Sequence, residues 1–158
     1  MYRIGIGYDI HKLTTGRDLI IGGVKITHEK GLLGHSDADV LIHAIIDAML
    51  GALALSDIGT IFPDTSELYK DADSTVLFRD VYNLIKEKKY VIENIDSNII
   101  AQQPKMMPYI PKMKEVLCKI LEIETDRLSI KAKTNEKMDA VGQELAIEAQ
   151  AVVLMKRV

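Results

Sequence analysis

The chain has no tryptophan, one cysteine and only 5% aromatic residues in 158 positions. Each scarcity removes a class of function. So few aromatics leave no base-stacking platform for nucleic acid. The lone Cys118 excludes an internal disulfide and any multi-thiolate metal centre. In KMKEVLCKIL it occupies a helical position and reads as a small buried hydrophobe. Charge of one sign is also lacking: the net charge of −3 gives no general attraction to nucleic acid or an anionic membrane. No stretch approaches the roughly 20 apolar residues of a membrane span. The N-terminus starts a strand and has no basic-then-apolar leader. The expectation is a cytoplasmic protein without nucleic-acid or membrane partners. There is no P-loop, no G-x-S-x-G and no Cys–His pair. With no side-chain nucleophile in view, the substrate is expected to bring its own. What remains is ordinary globular composition, 47% apolar and 27% charged. Its length suits one domain, residues 1–158.

The informative residues lie early. All four histidines (His11, His28, His35 and His43) fall in the first 43 residues. Asp9 and His11 are two apart in IGIGYDIHKL, which reads as a strand, so both side chains share a face. His43 lies in ADVLIHAIIDAMLGAL, which reads as a helix. An Asp and a His from a strand end, meeting a His from a helix, make a three-ligand site with an open position. Zinc suits it, and so does non-haem iron. His43 and Asp47 are i and i+4 on a mostly apolar helix, and two such polar groups need partners. A His43–Asp47 hydrogen bond in the core is the alternative to a ligand role.

Along the chain, the pattern predicts a strand over 1–11 in which Gly5 and Gly7 mark a bulge or a close backbone approach. A hairpin is expected over 18–26 around Gly22-Gly23. A helix is expected from Ser36, with Ser36 and Asp39 as a capping box. Residues 56–66 read as a loop. A helix capped by Ser74 should run to about Lys88, then a strand over 90–101. After three prolines in eight residues, Pro111 opens a third helix to about Leu121. Strands over 128–134 and 147–155 complete the chain. The fold class is α+β: a single mixed sheet with helices packed on one face and a small hairpin. Helices on one face leave the other bare, which predicts oligomerisation through the sheet.

Phosphate chemistry enters through coincidence. His35 and Ser36 are placed just before and at a predicted helix N-terminus, where free N–H groups favour an anion. The Asp9-x-His11 strand end and His43 can converge on the same spot. Lys105 lies in the proline-broken loop. Lys131 and Lys133 lie on the strand leading to Thr134, Asn135 and Glu136, whose carboxylate suits a hard cation such as Mg²⁺ and equally suits a surface charge.

Taken together, the segments IGIGYDIH, IIGGVKI, EKGLLGHSDADVLIHAIIDAMLGA, LSDIGTIFPD, DADS, NIIAQQPKMMPYIPKM and IKAKTNEK resemble the 2-C-methyl-D-erythritol 2,4-cyclodiphosphate synthase family. They occur in order across almost the whole chain. The resemblance implies cyclisation of a cytidine diphosphate methylerythritol 2-phosphate with release of CMP, in non-mevalonate isoprenoid precursor synthesis. It implies Asp9, His11 and His43 as Zn²⁺ ligands, with Mg²⁺ or Mn²⁺ as a second cation near Glu136. It implies diphosphate contacts at His35 and Ser36, with His35 and Thr134 stabilising the transition state. Asp57, Ile58 and Gly59 match the segment for the methylerythritol hydroxyls, and Phe62, Pro63, Asp64, Thr65 and Ser66 a substrate-contacting loop. Ala101, Gln102, Gln103, Pro104, Lys105, Met106 and Met107 match a cytidine pocket. Lys133, Thr134, Asn135 and Glu136 match a nucleotide-phosphate segment. A homotrimer with sheets facing the three-fold axis and active sites between subunits is implied as well.

The departures cluster near residue 140. Many relatives carry Gly-Phe and then Gly-Arg there; this chain has Asp139-Ala140 and Gly142-Gln143. The family's Phe and Arg line a cavity on the three-fold axis that can take an isoprenoid diphosphate. Ala140 offers less apolar surface and Gln143 lacks the charged fork, so that ligand is not expected to be held well. Lys133 and Asn135 also depart from common family residues. Two other readings stay open: a metal-dependent phosphoesterase using zinc-bound water, and a trimeric diphosphate-binding protein without catalysis.

Overall fold

In the computed structural model, which describes residues 1–158, the N-terminal segment forms β1 (Tyr2–Thr14). The hairpin follows as β2 (Leu19–Ile21) and β3 (Val24–Ile26), then a two-residue strand, β4 (Gly31–Leu32). Next come α1 (Val40–Ala52), the single turn α2 (Ile58–Ile61), α3 (Ser74–Glu87) and β5 (Tyr90–Ile100). The chain ends with α4 (Ile110–Leu121), β6 (Leu128–Lys133), the single turn α5 (Asp139–Gly142) and β7 (Ala146–Arg157). The five-stranded sheet has the order β4-β1-β7-β5-β6. Its pairs are antiparallel except β5–β6, which is parallel and connected through α4. No helix is long and apolar enough to cross a membrane.

The alternation along β1 decides where the site forms. Gly5 and Gly7 face α1, and a Cβ on them would stand 1.9 Å from the Ala48 carbonyl oxygen and 1.8 Å from that of Ala44. Only glycine permits so close an approach. Helix α1 runs back along the strand. Two strand residues advance roughly 6.6 Å, and four helix residues about 6 Å. The match repeats: Gly5 lies under Ala48, Gly7 under Ala44, and Asp9 meets His43. The even positions point the other way. Ile4 and Ile6 are 71% and 77% exposed on the sheet face that carries no helix. The helix-covered face holds a core of 39 buried residues, with α1 buried on nearly its whole circumference.

Some boundaries depart from the sequence pattern. Helix α1 starts at Val40, not Ser36, and its cap is Asp39, which accepts from the Ile42 N–H at 3.1 Å. The same carboxylate also accepts from Gly22 and Gly23 N–H at 2.9 and 2.7 Å. Those glycines take φ of 62° and 72°, as a two-residue hairpin turn requires. One buried side chain thus ties the hairpin to the helix. Burial, then the charge of Asp37, push the Asp39 carboxyl up to about 6, against the pull of the three N–H donors. Ser74 is the first residue of α3, and Asp73 is its cap. The loop over 56–66 contains α2, because the Asp57 side chain accepts from both the N–H and the hydroxyl of Thr60. Strand β4 and turn α5 are too short to leave a periodic signal.

Candidate active site

Asp9, His11 and His43 converge, with ligand atoms all within 4.8 Å of one another. Asp9 Oδ2 lies 2.8 Å from His11 Nε2 and 3.2 Å from His43 Nδ1. The two ring nitrogens are 3.3 Å apart. His11 Nδ1 lies 3.0 Å from the Leu33 carbonyl, which can only accept, so Nδ1 carries a proton. Its Nε2 lone pair is therefore aimed at the Asp9 carboxylate and at His43. Such an arrangement is repulsive unless a proton or a metal cation sits among the three groups. Two imidazole nitrogens and one carboxylate suit Zn²⁺ with an open fourth position. Without a cation, burial raises the Asp9 carboxyl, but hydrogen bonds and charge from His11 and His43 outweigh it and hold the carboxyl low. For His43, burial opposes the charged ring, and Asp9 overcomes it and raises its pKa.

His43 does not pair with Asp47. Its Nε2 lies 2.9 Å from Ser74 Oγ and 3.2 Å from Ser36 Oγ. Asp47 instead accepts from the Ile58 N–H at 2.7 Å, anchoring α2 beside the site. A cavity of about 360 Å³ opens over these three side chains. Its walls include His35, Ser36, Ile58, Gly59, Phe62 and Asp64 from the predicted set, with Gly34, Tyr69 and Leu77 not foreseen. Asp57, Pro63, Thr65 and Ser66 lie in the same segment outside that lining. His35 Nε2 donates to the Ser66 carbonyl at 2.9 Å, linking the two halves of the cavity rim. The N-terminus of α1 does not face this cavity as an anion site, because the Asp39 carboxylate already fills it.

A second cavity, about 280 Å³, is lined by Ala101, Gln102, Pro104, Lys105, Met106, Met107, Ala132, Lys133 and Thr134. Gln103, Asn135 and Glu136 lie outside its lining. The Gln102 side chain accepts from the Lys137 N–H at 3.1 Å, joining the two segments. Glu136 contacts Thr134 and joins no cluster with the three ligands of the first cavity. Ala140 and Gln143 lie on and just after α5, both exposed. The two cavities share no residue. The strand register sets Asp9 level with Ala149, Ile99 and Ala132. Both cavities thus lie at one end of the sheet, three strand spacings or roughly 14 Å apart.

The model of the YgbB family matches residues 2–156. The chain belongs to the YgbB family. Among curated YgbB relatives, the 2-C-methyl-D-erythritol 2,4-cyclodiphosphate synthase of Clostridioides difficile is 60% identical over 153 residues, covering 97% of this chain and 95% of its own. Among solved structures, IspF of Plasmodium falciparum as a CDP complex is 39% identical with a TM-score of 0.87, covering 99% and 96% of the two chains. The bifunctional IspDF of Campylobacter jejuni matches at 34% identity and a TM-score of 0.96. This chain covers 43% of that longer protein.

Besides Gly34, Tyr69 and Leu77 in the cavity wall, sequence reasoning missed Asp37 and Ser74 behind His43. The Ser74 hydroxyl donates to Asp37 and its oxygen contacts His43. DADS reads as a helix start, and nothing in it points across to His43.

Proposed function

We propose that residues 1–158 act as one catalytic domain, a phosphorus–oxygen lyase. It converts 4-diphosphocytidyl-2-C-methyl-D-erythritol 2-phosphate to 2-C-methyl-D-erythritol 2,4-cyclodiphosphate and CMP. The observation that carries this reading is the meeting of three cation-seeking groups beneath a cavity rimmed by His35 and Ser36. A second cavity with the predicted nucleotide residues lies at the same end of the sheet. An oxygen of the 2-phosphate forms a bond to the β-phosphorus. The bond from that phosphorus to the bridging oxygen breaks, and CMP leaves with the electron pair. Two unit charges about 4 Å apart repel by roughly 4 kcal/mol at an effective dielectric of 20, and these phosphates carry more charge. The chain's task is to offset that repulsion and hold the reacting atoms in line.

Asp9, His11 and His43 would hold Zn²⁺, which when bound supplies positive charge beside the reacting phosphates. His35 has one ring N–H engaged by Ser66 and can exchange that carbonyl for a phosphate oxygen. Ser36 lines the same cavity. Residues 57–59 would take the methylerythritol hydroxyls and residues 62–66 the adjoining contacts. Residues 101–107 would receive the cytidine, with Lys105 on its phosphates. Thr134 would donate to developing charge, and Glu136 would help hold Mg²⁺ or Mn²⁺, which would supply further positive charge to the phosphates. Ala140 and Gln143 are read as weakening any isoprenoid diphosphate site. A cytoplasmic location goes with this reading, since released CMP would join the nucleotide pool there.

One copy of the chain keeps its two cavities three strands apart along the same end of the sheet. A ring of copies sets one copy's metal cavity against the next copy's nucleotide cavity. The bare face with Ile4, Ile6 and Tyr8 would turn to the ring's axis, and we read the ring as a homotrimer. The test is ³¹P NMR of protein with substrate, Zn²⁺ and Mg²⁺. Matched growth of CMP and cyclic diphosphate signals is expected. CMP with linear phosphates would mean hydrolysis instead, and an unchanged spectrum from zinc-loaded protein would mean binding without turnover.

A further inference from the structure

A neutral imidazole has one donor and one acceptor nitrogen, and only the acceptor can ligate a metal. For His43 the choice is made at Nε2, the ring nitrogen that does not meet Asp9 and His11. Its Nε2 meets Ser74 Oγ at 2.9 Å. The single hydroxyl proton of Ser74 is already committed to Asp37 Oδ1. Asp37 is held in turn: its Oδ2 accepts from the Ser74 N–H at 3.0 Å and its Oδ1 from the Asp39 N–H at 3.1 Å. Ser74 Oγ can then only accept from His43. Ser74 is fully buried and His43 is 8% exposed, so water does not compete there. Ser36 Oγ is farther, at 3.2 Å, and accepts from the Ala38 N–H.

We propose that Asp37 and Ser74 are positioning residues for His43: the Asp37 carboxylate orients the Ser74 hydroxyl, Ser74 accepts the Nε2 proton, and the Nδ1 lone pair is thereby aimed at the cation position. This rests on the reading of Asp9, His11 and His43 as metal ligands. Partners of this kind behind a ligating histidine fix its tautomer and raise its basicity, and losing them costs metal affinity on the order of 10- to 100-fold. The chain joins GHSDAD and DADS for this purpose, so the start of α3 is locked to the entry of α1 at the point where His43 is oriented.

The experiment has two readouts on wild type, Ser74→Ala, Ser74→Thr, Asp37→Asn and His43→Ala. The first is the ¹⁵N shift pattern of the His43 ring in metal-free protein, at a pH where the ring is neutral. The second is Zn²⁺ affinity by competition with a chromophoric chelator. Wild type should show the Nε2–H tautomer. Ser74→Ala should show a mixed tautomer and affinity weaker by about 10- to 100-fold. In Asp37→Asn the amide can donate to Ser74 Oγ, which frees the hydroxyl to donate to Nε2, so the tautomer should reverse. Ser74→Thr keeps the hydroxyl and should restore both readouts. If Ser74→Ala and Asp37→Asn keep the wild-type tautomer and affinity while His43→Ala loses zinc, the positioning role is overturned and the metal site stands. If wild type itself fails to bind Zn²⁺, it is the metal reading that falls.

Discussion

Around Asp9, His11 and His43 nearly every polar atom is committed to another part of the chain, whereas around residues 101–107 and 133–136 few are. The metal cavity draws on β1, α1, α3 and the β4–α1 connection, held by buried hydrogen bonds. The nucleotide cavity draws on the ends of β5 and β6 and an exposed loop. Just beyond its lining Glu136, Lys137 and Asp139 all take positive φ, and few side-chain contacts tie that loop down. The difference teaches what one copy can do. It can preorganise a cation site, but it presents the proposed nucleotide segment as an open edge. Rigid donors lower the cost of gathering charge; an open edge leaves room for a neighbouring copy.

The sharpest break of that comparison is His43→Ala. It should remove zinc and CMP formation together while the proposed ring of copies stays intact, as read by metal analysis, ³¹P NMR and sedimentation. Normal zinc content with a normal rate would overturn the ligand set. Gly7→Ala drives a Cβ to 1.8 Å from the Ala44 carbonyl oxygen. It should destabilise by about 3 kcal/mol or more in urea unfolding. By lifting α1 from β1 it should also weaken zinc binding, although the residue touches no ligand. Lys105→Ala should leave zinc content unchanged and weaken CMP binding by roughly 10- to 100-fold in calorimetry, the loss of one charge-assisted hydrogen bond. A parallel loss of zinc would show that the two cavities are coupled within one chain.

Acidity should act on the metal side first. Asp9 raises the proton affinity of His43 in the cation-free protein, so below the His43 pKa every cation bound must displace a proton. Zinc affinity should then fall about tenfold for each unit of pH decrease, measured by chelator competition, while CMP affinity changes less. A flat profile would mean that His43 is not a ligand. The mildest effect tests the ring. His43→Ala chains mixed and reassembled with Lys105→Ala/Thr134→Ala chains should recover about a quarter of wild-type turnover, since sites between copies pair intact halves at random. No recovery would place a complete site within each copy.

Much of this was legible in the residues. The two-residue spacing of Asp9 and His11 set them on one face, and Gly5 and Gly7 share that face, so the strand that accepts α1 also delivers the ligands beneath it. The hairpin at Gly22-Gly23 and the helix beginning near Pro111 follow from local backbone preference. The start of α1 did not. Ser36 and Asp39 are both good caps, and the choice between them is made by Gly22 and Gly23, whose N–H groups claim the Asp39 carboxylate from another part of the chain. Ser74 was obscured for the same reason: a serine at a helix start reads as a cap, and here it turns toward His43 and Asp37. The motif segments of the family were readable as strings, but their division into two separate cavities was not.

By itself the sequence determined the longer strands and helices, the face that Asp9 and His11 share and the family to which the chain belongs, because these depend on residue type and short-range period. Tertiary structure alone decided which nitrogen of His43 has a buried acceptor, which carboxylate caps α1, and that one copy keeps its two cavities three strands apart. Those outcomes depend on hydrogen-bond partners and strand order contributed by residues far apart in the chain, where no local period carries the information.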